Sequence, residues 1–442
     1  MTYKPYGQYI DTEIEWIGLI PSSWKLLKSK FIFNRVNNQS TTGNEELLSV
    51  SEYYGVKPKK ETINEGDFLS RSDSLVGYKK CSKNDLVMNI MLAWKKGLGV
   101  TNYDGIVSPA YEIFNINLLL AFPIYMNYLL RTDLYASEFK RHSYGVIDSR
   151  LRLYPDNFKE IECILPPLEE QKQIVNYLDQ KTAKINATIA KNEELLDLLE
   201  EKRVALINQV VTKGLNPDVP MKDSGVEWIG DINEEFQLTR IKFCSEIYGR
   251  IGFRGYTVSD IVDEGEGAIT LSPSNIDNQK FDLSDKKYLS WEKYEESPEI
   301  KIYNNDIIFV KTGSSVGKTC IIKDLDEKAT LNPQLIVFKN IKINNDYLYY
   351  VLASDIVQHQ VSLNLKGGTI PTLTQEDIQN YFIPLPNTKT QKQIVKYLDK
   401  ETLKIDTIIA KVNDNINLLK EYKTSLIHHV VTGKIDVRGE EI

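Results

Sequence analysis

A glycine-rich loop is the first feature of this chain that suggests chemistry. It reads Gly313-Ser314-Ser315-Val316-Gly317-Lys318-Thr319 and follows a strand-like apolar run. Loops that wrap nucleotide phosphates have the pattern G-x-x-x-x-G-K-[ST], in which backbone N–H groups and the lysine hold the phosphates. The position five before Gly317 is Thr312, so this loop is one residue too short. The spacing argues against ATP or GTP binding, and an enzyme with a nucleotide at this loop is kept only as an alternative.

A second motif partly matches amino-methyltransferases. Residues Asn332-Pro333-Gln334-Leu335 begin like the N-P-P-F/Y motif, but they lack its second proline and the aromatic ring that holds a flipped base. No glycine-rich cofactor loop after a strand accompanies them. We therefore expect no methyl transfer by this chain itself.

The cysteines and histidines form no recognisable metal or disulfide pattern. The cysteines lie far apart without a C-x-x-C spacing, and the histidines lack the i, i+4 spacing of a helical metal site. These residues are Cys81, Cys163, Cys244, Cys320, His142, His359, His428 and His429. The sequence predicts no metal centre.

Short basic and aromatic clusters in turn-rich stretches suggest contact with nucleic acid. Lysine and arginine neutralise phosphates, an arginine can donate two hydrogen bonds to guanine, and neighbouring glycines allow close backbone approach. Taken singly, such clusters are more often solvated surface. The candidate DNA-binding residues are Lys57, Lys59, Lys60, Lys95, Lys96, Arg150, Arg250, Arg254, Lys311, Ser314, Lys318 and Lys366.

Length and charge limit how these residues can be positioned. A chain of 442 residues exceeds one ordinary core, so two domains are expected. The net charge is -7, and residues 213–387 alone carry 18 Lys and Arg against 26 Asp and Glu. A nucleic-acid surface must therefore be local.

Because the chain has no long apolar run and no apolar signal core at its start, we expect a cytoplasmic protein.

An internal duplication organises the chain. Glu15-Trp16-Ile17-Gly18 returns as Glu227-Trp228-Ile229-Gly230. Of the 21 residues in 171–191, 14 are identical to their counterparts in 391–411 without a gap. Between these shared blocks the two halves diverge. We expect the shared blocks to fix the geometry of the molecule and the divergent modules to determine what each module recognises.

Each shared block that follows a module reads as one long helix. Apolar residues recur at alternating spacings of four and three, which is the pattern of a seam for a partner helix. Prolines precede both runs, and Gly214 and Gly433 follow them, as helix start and stop signals. The predicted packing residues are Leu178, Ile185, Ile189, Leu196, Leu199, Leu398, Ile405, Ile409, Ile416 and Leu419.

The two helices are near copies of each other. An antiparallel pair with an approximate two-fold axis satisfies both seams at once, whereas separate packing of each helix on its own domain is the alternative. Arg203 and Lys423 are equivalent charged residues in the seams. They could fix the register of the helix pair or extend out of the seam to solvent, and we expect the latter.

The divergent modules read as mixed α and β. The whole chain is therefore predicted to be an α+β protein, with two mixed modules, two long antiparallel coiled-coil helices and a pseudo-two-fold internal repeat. The strand-like runs are Asp85 to Ile90, Asp306 to Lys311 and Leu335 to Phe338, and the helical runs are Leu118 to Leu130 and Tyr347 to Leu352.

This arrangement resembles the specificity subunit of type I restriction-modification enzymes, over nearly the entire chain. Two further stretches, Gly313 to Lys318 and Asp104 to Tyr111, resemble loops of the recognition domains of that family, the first of them a DNA-facing turn. The main residues that carry the resemblance are Glu15 to Gly18, Glu227 to Gly230, Pro166 to Gln171, Ile174, Tyr177-Leu178-Asp179, Ile383 to Pro386 and Gln391 to Asp399.

The resemblance implies four segments and a role without catalysis. Residues 1–166 and 215–387 would be the two DNA target-recognition domains, and residues 167–214 and 388–442 the two conserved spacer helices. Such a subunit reads a bipartite double-stranded DNA target, with one half-site per domain. It docks two modification (methyltransferase) subunits and two restriction (motor-nuclease) subunits. S-adenosylmethionine, ATP and Mg would belong to these partners, and none of them to this chain. A coiled-coil scaffold with two protein-binding heads is the alternative.

Overall fold

The computed structural model describes residues 4–62, 74–216, 218–277, 279–365 and 371–440. The chain forms two compact units, Met1–Asn192 with Asn413–Ile442, and Glu193–Val412. Each unit combines one module with parts of both long helices, so the division between the units falls inside the helices. In the described ranges, no helix is long and apolar enough to cross a membrane.

The first unit alternates short strands and helices ahead of the first long helix. Its strands are β1 (Tyr9–Asp11), β2 (Leu19–Pro21), β3 (Lys25–Lys28), β4 (Phe33–Val36), β5 (Leu48–Ser51), β6 (Gly55–Pro58), β7 (Lys79–Cys81), β8 (Leu86–Asn89), β9 (Leu98–Val100), β10 (Gly105–Val107), β11 (Tyr111–Ile116) and β12 (Glu162–Leu165). Its helices are α1 (Ser29–Ile32), α2 (Pro123–Leu130), α3 (Asp133–Arg141), α4 (Pro155–Phe158) and the first part of α5 (Leu168–Lys213). Single 3-10 turns lie at Lys59–Glu61, Ala93–Lys95 and Asp148–Arg150.

The second unit follows the same order with more strands. These are β13 (Met221–Asp223), β14 (Asp231–Asn233), β15 (Gln237–Arg240), β16 (Glu246–Gly249), β17 (Ile261–Val262), β18 (Gly267–Leu271), β19 (Ile276–Asp277), β20 (Lys280–Phe281), β21 (Tyr288–Ser290), β22 (Ile307–Val310), β23 (Thr319–Ile321), β24 (Ala329–Leu331), β25 (Leu335–Lys339) and β26 (Phe382–Leu385). Its helices are α6 (Ile241–Cys244), α7 (Trp291–Glu295), α8 (Asn345–Ala353), α9 (Asp355–Asn364), α10 (Gln375–Gln379) and the first part of α11 (Thr388–Val431). Its 3-10 turns are Gly252–Arg254, Val258–Asp260, Pro273–Asn275 and Pro298–Ile300.

Both modules contain the same four-stranded antiparallel sheet. The strand order is β4-β11-β8-β9 in the first unit and β16-β25-β22-β23 in the second. All four residues of β8 and all four of β22 are buried. Strands covered on both faces read as short runs rich in apolar residues, which is how the sequence indicated both of them.

The same tight turn leads into both buried strands. Asn84 and Asn305 have φ angles of 75° and 74°, in the left-handed region that asparagine tolerates better than most residues. The two divergent modules are therefore variations on one backbone scaffold.

A pair of helices covers the sheet of each module. In the second unit Tyr347, Leu348 and Val351 of α8 share one core with Phe309 and Phe338 of the sheet. In the first unit α2 starts at Pro123 and not at Leu118 as the apolar run predicted. Proline lacks the N–H that helix interiors donate and is favoured in the first helical turn, so it marks the start.

The long helices pack antiparallel within each unit. In the second unit Arg203 pairs with Asp406, while Ile207 shares a core with Leu398. From the first of these contacts to the second, the residue number rises in α5 and falls in α11, as it must in an antiparallel pair. In the first unit Lys423 Nζ donates to Asn186 Oδ1 at 2.8 Å.

The predicted packing positions differ in exposure. The buried ones are Leu178, Ile185, Ile189, Leu199, Leu398, Ile405 and Ile416, and the partly buried ones are Leu196, Ile409 and Leu419. The expectation for Arg203 is wrong: its side chain is only 15% exposed. It stays in the seam because Asp406 offers it a partner there.

Candidate DNA interface

Three segments converge at one end of the sheet of the second unit. Residues 311–318 join β22 to β23, residues 332–334 turn into β25, and residues 371–373 lie beside them. Lys311 N donates to Gln334 O at 2.9 Å, Leu373 N to Lys311 O at 2.8 Å, and Gly313 N to Pro371 O at 3.0 Å. These backbone hydrogen bonds make the three segments one surface.

The first unit builds the same surface from different residues. Residues 90–97 join β8 to β9, and Leu153 N donates to Ile90 O at 2.8 Å. The turn into β11 is closed by Tyr111 N donating to Ser108 O at 3.0 Å. The loop 90–97 is therefore the counterpart of the loop 311–318, although the two share no sequence motif.

The glycine-rich loop lacks the architecture of a phosphate-binding loop. It leads into β23, whereas phosphate-wrapping loops lead into a helix whose N-terminal N–H groups face the phosphates. The residue that would hold Mg²⁺ there, Thr319, is a buried strand residue whose hydroxyl donates to Ile308 O at 2.8 Å. The enzyme alternative therefore finds no nucleotide site at this loop.

Four of the predicted basic residues of the first module are exposed, namely Lys57, Lys60, Lys95 and Arg150. Lys57 lies 5.7 Å from the ring centre of Tyr54, and Lys95 lies 5.0 Å from that of Trp94. Lys140 also lies 5.0 Å from the Trp94 ring. A cation held over an aromatic face can meet a phosphate or a base without a large loss of side-chain freedom.

Three of the predicted lysines of the first module have partners within the unit or are less exposed. Lys60 pairs with Glu46 at 2.5 Å, and Lys96 pairs with Asp133 at 2.6 Å. Lys59 is partly buried.

In the second module the loop residues divide by exposure. Ser314 and Lys318 are exposed, whereas Lys311 is partly buried and burial lowers the pKa of its ammonium group. Arg254 forms an ion pair with Glu299 at 3.2 Å. Lys366 lies outside the described residues.

Arg250 does not have the placement that a base contact needs. It is 4% exposed, and its Nε donates to Leu331 O at 3.0 Å. Its two terminal nitrogens donate to Thr330 Oγ1 at 3.1 Å and to Arg254 O at 3.2 Å. Because the guanidinium is committed to these acceptors, we replace the predicted DNA contact by a role in supporting β24.

Each module is tied to its long helix by a tyrosine–aspartate hydrogen bond. Tyr128 OH donates to Asp179 Oδ1 at 2.6 Å in the first unit, and Tyr350 OH donates to Asp399 Oδ1 at 2.7 Å in the second. The aspartates belong to the repeated Tyr-Leu-Asp motif, but sequence reasoning missed both tyrosines. The two tyrosines are two residues farther apart in the sequence than matching positions of the two long helices, so an alignment of the helices does not pair them.

A repeated glutamine fixes the start of each helix pair. Gln171 Oε1 accepts from Phe122 N at 2.7 Å and Gln391 Oε1 from Asn344 N at 2.9 Å. Both glutamines are buried, and each also donates to the backbone of the proline segment before its helix. The shared Gln-Lys-Gln motif therefore joins module to helix by hydrogen bonds.

The described ranges contain no cluster of three His, Cys, Asp or Glu that could hold a metal ion. All four cysteines are free and buried. Burial raises the pKa of both Cys163 and Cys320 to about 12, so these thiols stay protonated at neutral pH.

Comparison with known proteins identifies relatives of this chain. The chain is 27% identical to the type I restriction enzyme MjaVIII specificity subunit of Methanocaldococcus jannaschii over 287 residues, which are 64% of either chain. It is 24% identical to the putative MjaX specificity subunit of the same organism over 96% of both chains. It is 21% identical to the EcoKI specificity subunit of Escherichia coli K12 over 72% of this chain and 66% of that one.

Solved structures show the same fold. A chain from a structural study of complex assembly and conformational transition of the type I R-M system matches with a TM-score of 0.69 at 15% identity, covering 94% of this chain and 99% of that one. The HsdS subunit of Thermoanaerobacter tengcongensis matches with a TM-score of 0.51 at 16% identity, covering 94% and 98%. The model of the type I restriction modification DNA specificity domain matches residues 21–197 and 256–418. The two matches together cover more than half of the chain, including most of each module and of each long helix, so the chain belongs to the type I restriction-modification DNA specificity family.

Proposed function

We propose that this chain is the non-catalytic subunit that sets the DNA sequence specificity of a type I restriction-modification enzyme. It reads a bipartite double-stranded target, with one half-site for each module. The observation that carries this proposal is the three-segment loop surface, which occurs twice on one scaffold with different residues. A common scaffold with different loop side chains suits the reading of two different sets of base edges.

The charge distribution shapes how the target is held. Among the predicted DNA-binding residues that the structure describes, the exposed cations are Lys57, Lys60, Lys95 and Arg150 in the first module and Lys318 in the second. Because residues 213–387 carry a net charge of -8, the phosphate contacts around the second half-site must come largely from partner subunits.

Catalysis is assigned to those partners. Two modification subunits use S-adenosylmethionine to methylate adenine in the target, and two restriction subunits use ATP and Mg²⁺ for translocation and cleavage. The long helices supply the docking framework. The names of the relatives, all of them specificity subunits of type I restriction enzymes, support this division of labour.

Mapping methylated adenines in the source genome, with and without the gene for this chain, tests the proposal. A bipartite motif should be methylated in the first case and unmethylated in the second. The complex with modification subunits should also protect that motif in footprinting. Unchanged methylation, or no sequence-selective protection by the complex, would favour a scaffold that binds only proteins.

A further inference from the structure

Arg131, at the end of α2, joins two loops of the first module through its guanidinium group. It is partly buried and donates to backbone carbonyl oxygens on both loops. The acceptors are Ser51 O (3.4 Å), Glu52 O (2.9 Å), Tyr53 O (3.2 Å), Lys96 O (2.7 Å) and Leu98 O (2.6 Å). The first three lie at the end of β5 and in the turn that follows it, and the last two lie at the junction of the loop 90–97 with β9.

The backbone around this guanidinium leaves little space for side chains. Gly55 has φ of +77°, and a Cβ atom on it would lie 3.4 Å from Arg131 Nη1. A Cβ atom on Gly99 would lie 3.2 Å from the Cα of Gly55. The two loops therefore approach each other backbone to backbone, with Arg131 between their carbonyl groups.

The tips of these two loops present side chains suited to DNA. Tyr53 is 85% exposed at the tip of the first loop, where Lys57 lies over Tyr54. Trp94 and the exposed Lys95 form the tip of the second loop. The distance between the two tips depends on the carbonyl groups that Arg131 holds.

The second module holds its corresponding loop in another way. Position 353, the counterpart of Arg131, is alanine. Gln358 of α9 instead donates from Nε2 to Gly317 O at 2.9 Å and to Leu352 O at 2.9 Å. Each module thus uses one side chain of its helix pair to hold the loop that follows its buried strand.

We propose that Arg131 is a positioning residue for the first half-site and that Gln358 has the corresponding role for the second. Arg131 sets the separation of two recognition loops by binding their backbone carbonyl groups, and it makes no contact with DNA. This inference rests on the proposed function. It identifies residues that determine selectivity although they lie outside the DNA interface.

The test uses the full chain in complex with its modification subunits, and duplexes that carry the motif found by methylation mapping or one altered half-site. Arg131→Met keeps an unbranched apolar stem and removes the guanidinium donors. It should lower discrimination at the first half-site by about ten-fold and leave discrimination at the second unchanged. Gln358→Ala should lower discrimination at the second half-site and leave the first unchanged. Ile161→Val, a buried change in the same module away from both loops, is the control for lost stability.

Salt dependence separates positioning from direct contact. Arg131→Met should keep the wild-type slope of log Kd against log salt, whereas loss of a phosphate contact would reduce that slope by about one. Wild-type discrimination in Arg131→Met, equal loss in Ile161→Val, or a reduced slope would overturn the inference. Arg131→Lys keeps the charge but cannot bridge both loops, so wild-type discrimination in this milder variant would overturn it too. Absence of selectivity in the wild-type complex would instead refute the proposed function itself.

Discussion

Lys318 and Arg250 are both basic residues of the second module, yet their surroundings give them different roles. Lys318 is exposed on the loop between β22 and β23, with its ammonium group in solvent. Arg250 is buried and donates to three acceptors within its own unit. Sequence reasoning treated them alike because composition and neighbouring glycines do not reveal burial.

Lys318→Ala tests the exposed loop as a DNA contact. A base contact would cost about 1 to 3 kcal/mol of binding free energy and relax one position of the second half-site. A phosphate contact would weaken all sequences alike and reduce the salt slope by about one. The measurement is equilibrium binding of the partner-bound complex to cognate and altered duplexes at several salt concentrations.

The matched control for this prediction is Lys323→Ala. Lys323 is exposed in the same module, but it follows β23 at the strand end away from the loop 311–318. It should bind as the wild type does. If Lys318→Ala and Lys323→Ala behaved identically, the loop would have no special part in recognition.

At the scale of elements, the sequence predicts best what depends on periodicity. The long helices follow from a seam that repeats every seven residues, and β8 and β22 follow from short runs rich in apolar residues. The sequence predicted some residues of the loop surface, but it could not predict the hydrogen bonds that join the loop segments or the role of Arg131, because these bonds go to carbonyl groups that are distant in sequence and carry no motif. Arg203 was misjudged because its partner, Asp406, has asparagine as its counterpart in the other helix.

Asp406→Asn tests the ion pair in the seam of the second unit. Burial alone would raise the pKa of Asp406, but hydrogen bonds from Lys280 (2.6 Å) and Arg203 outweigh it and lower the pKa below the ordinary range. Removal of the charge leaves the largely buried Arg203 with only Glu200, 3.1 Å from its Nε, as an anionic partner, which should cost about 1 to 3 kcal/mol of unfolding free energy. Denaturant unfolding at neutral pH measures it.

The pH dependence of this difference has a definite sign. The carboxyl group binds its proton less tightly in the folded chain, so its stabilising effect is present at neutral pH and disappears as the pH falls below about 4. Wild type and Asp406→Asn should therefore converge in acid. Glu401→Gln, which breaks a surface pair with Lys404, is the control and should change stability little. A constant difference from pH 7 to pH 3 would contradict an ionic origin.

For the whole molecule, the consequence of the duplication is that neither unit is made from one repeat alone. The first unit needs Asn413–Ile442 from the second repeat to complete its helix pair. In that unit the Tyr125 hydroxyl lies 3.1 Å from both Ile164 O and Val431 O and shares its proton between them, so the end of α11 is part of the fold of the first module. Val211 has the same place in the first repeat as Val431 in the second. A second copy of the first repeat can therefore replace what α11 supplies.

The fragment of residues 1–216 should dimerise through α5 and, with the modification subunit, direct methylation to a palindrome of the first half-site. This dimer should be weaker than the intact pairing, because Arg203 would face Asn186 in both seams and find no aspartate. Asn186→Asp supplies the residue that Asp406 provides in the second repeat, and it should tighten the dimer about ten-fold by creating two ion pairs. Asn176→Asp adds the same charge at an exposed helix position and should leave the dimer constant unchanged. Sedimentation equilibrium measures both constants, and adenine mapping reads the palindrome. A fragment that stays monomeric in all three forms, or equal effects of the two aspartates, would mean that the seams do not pair in this register.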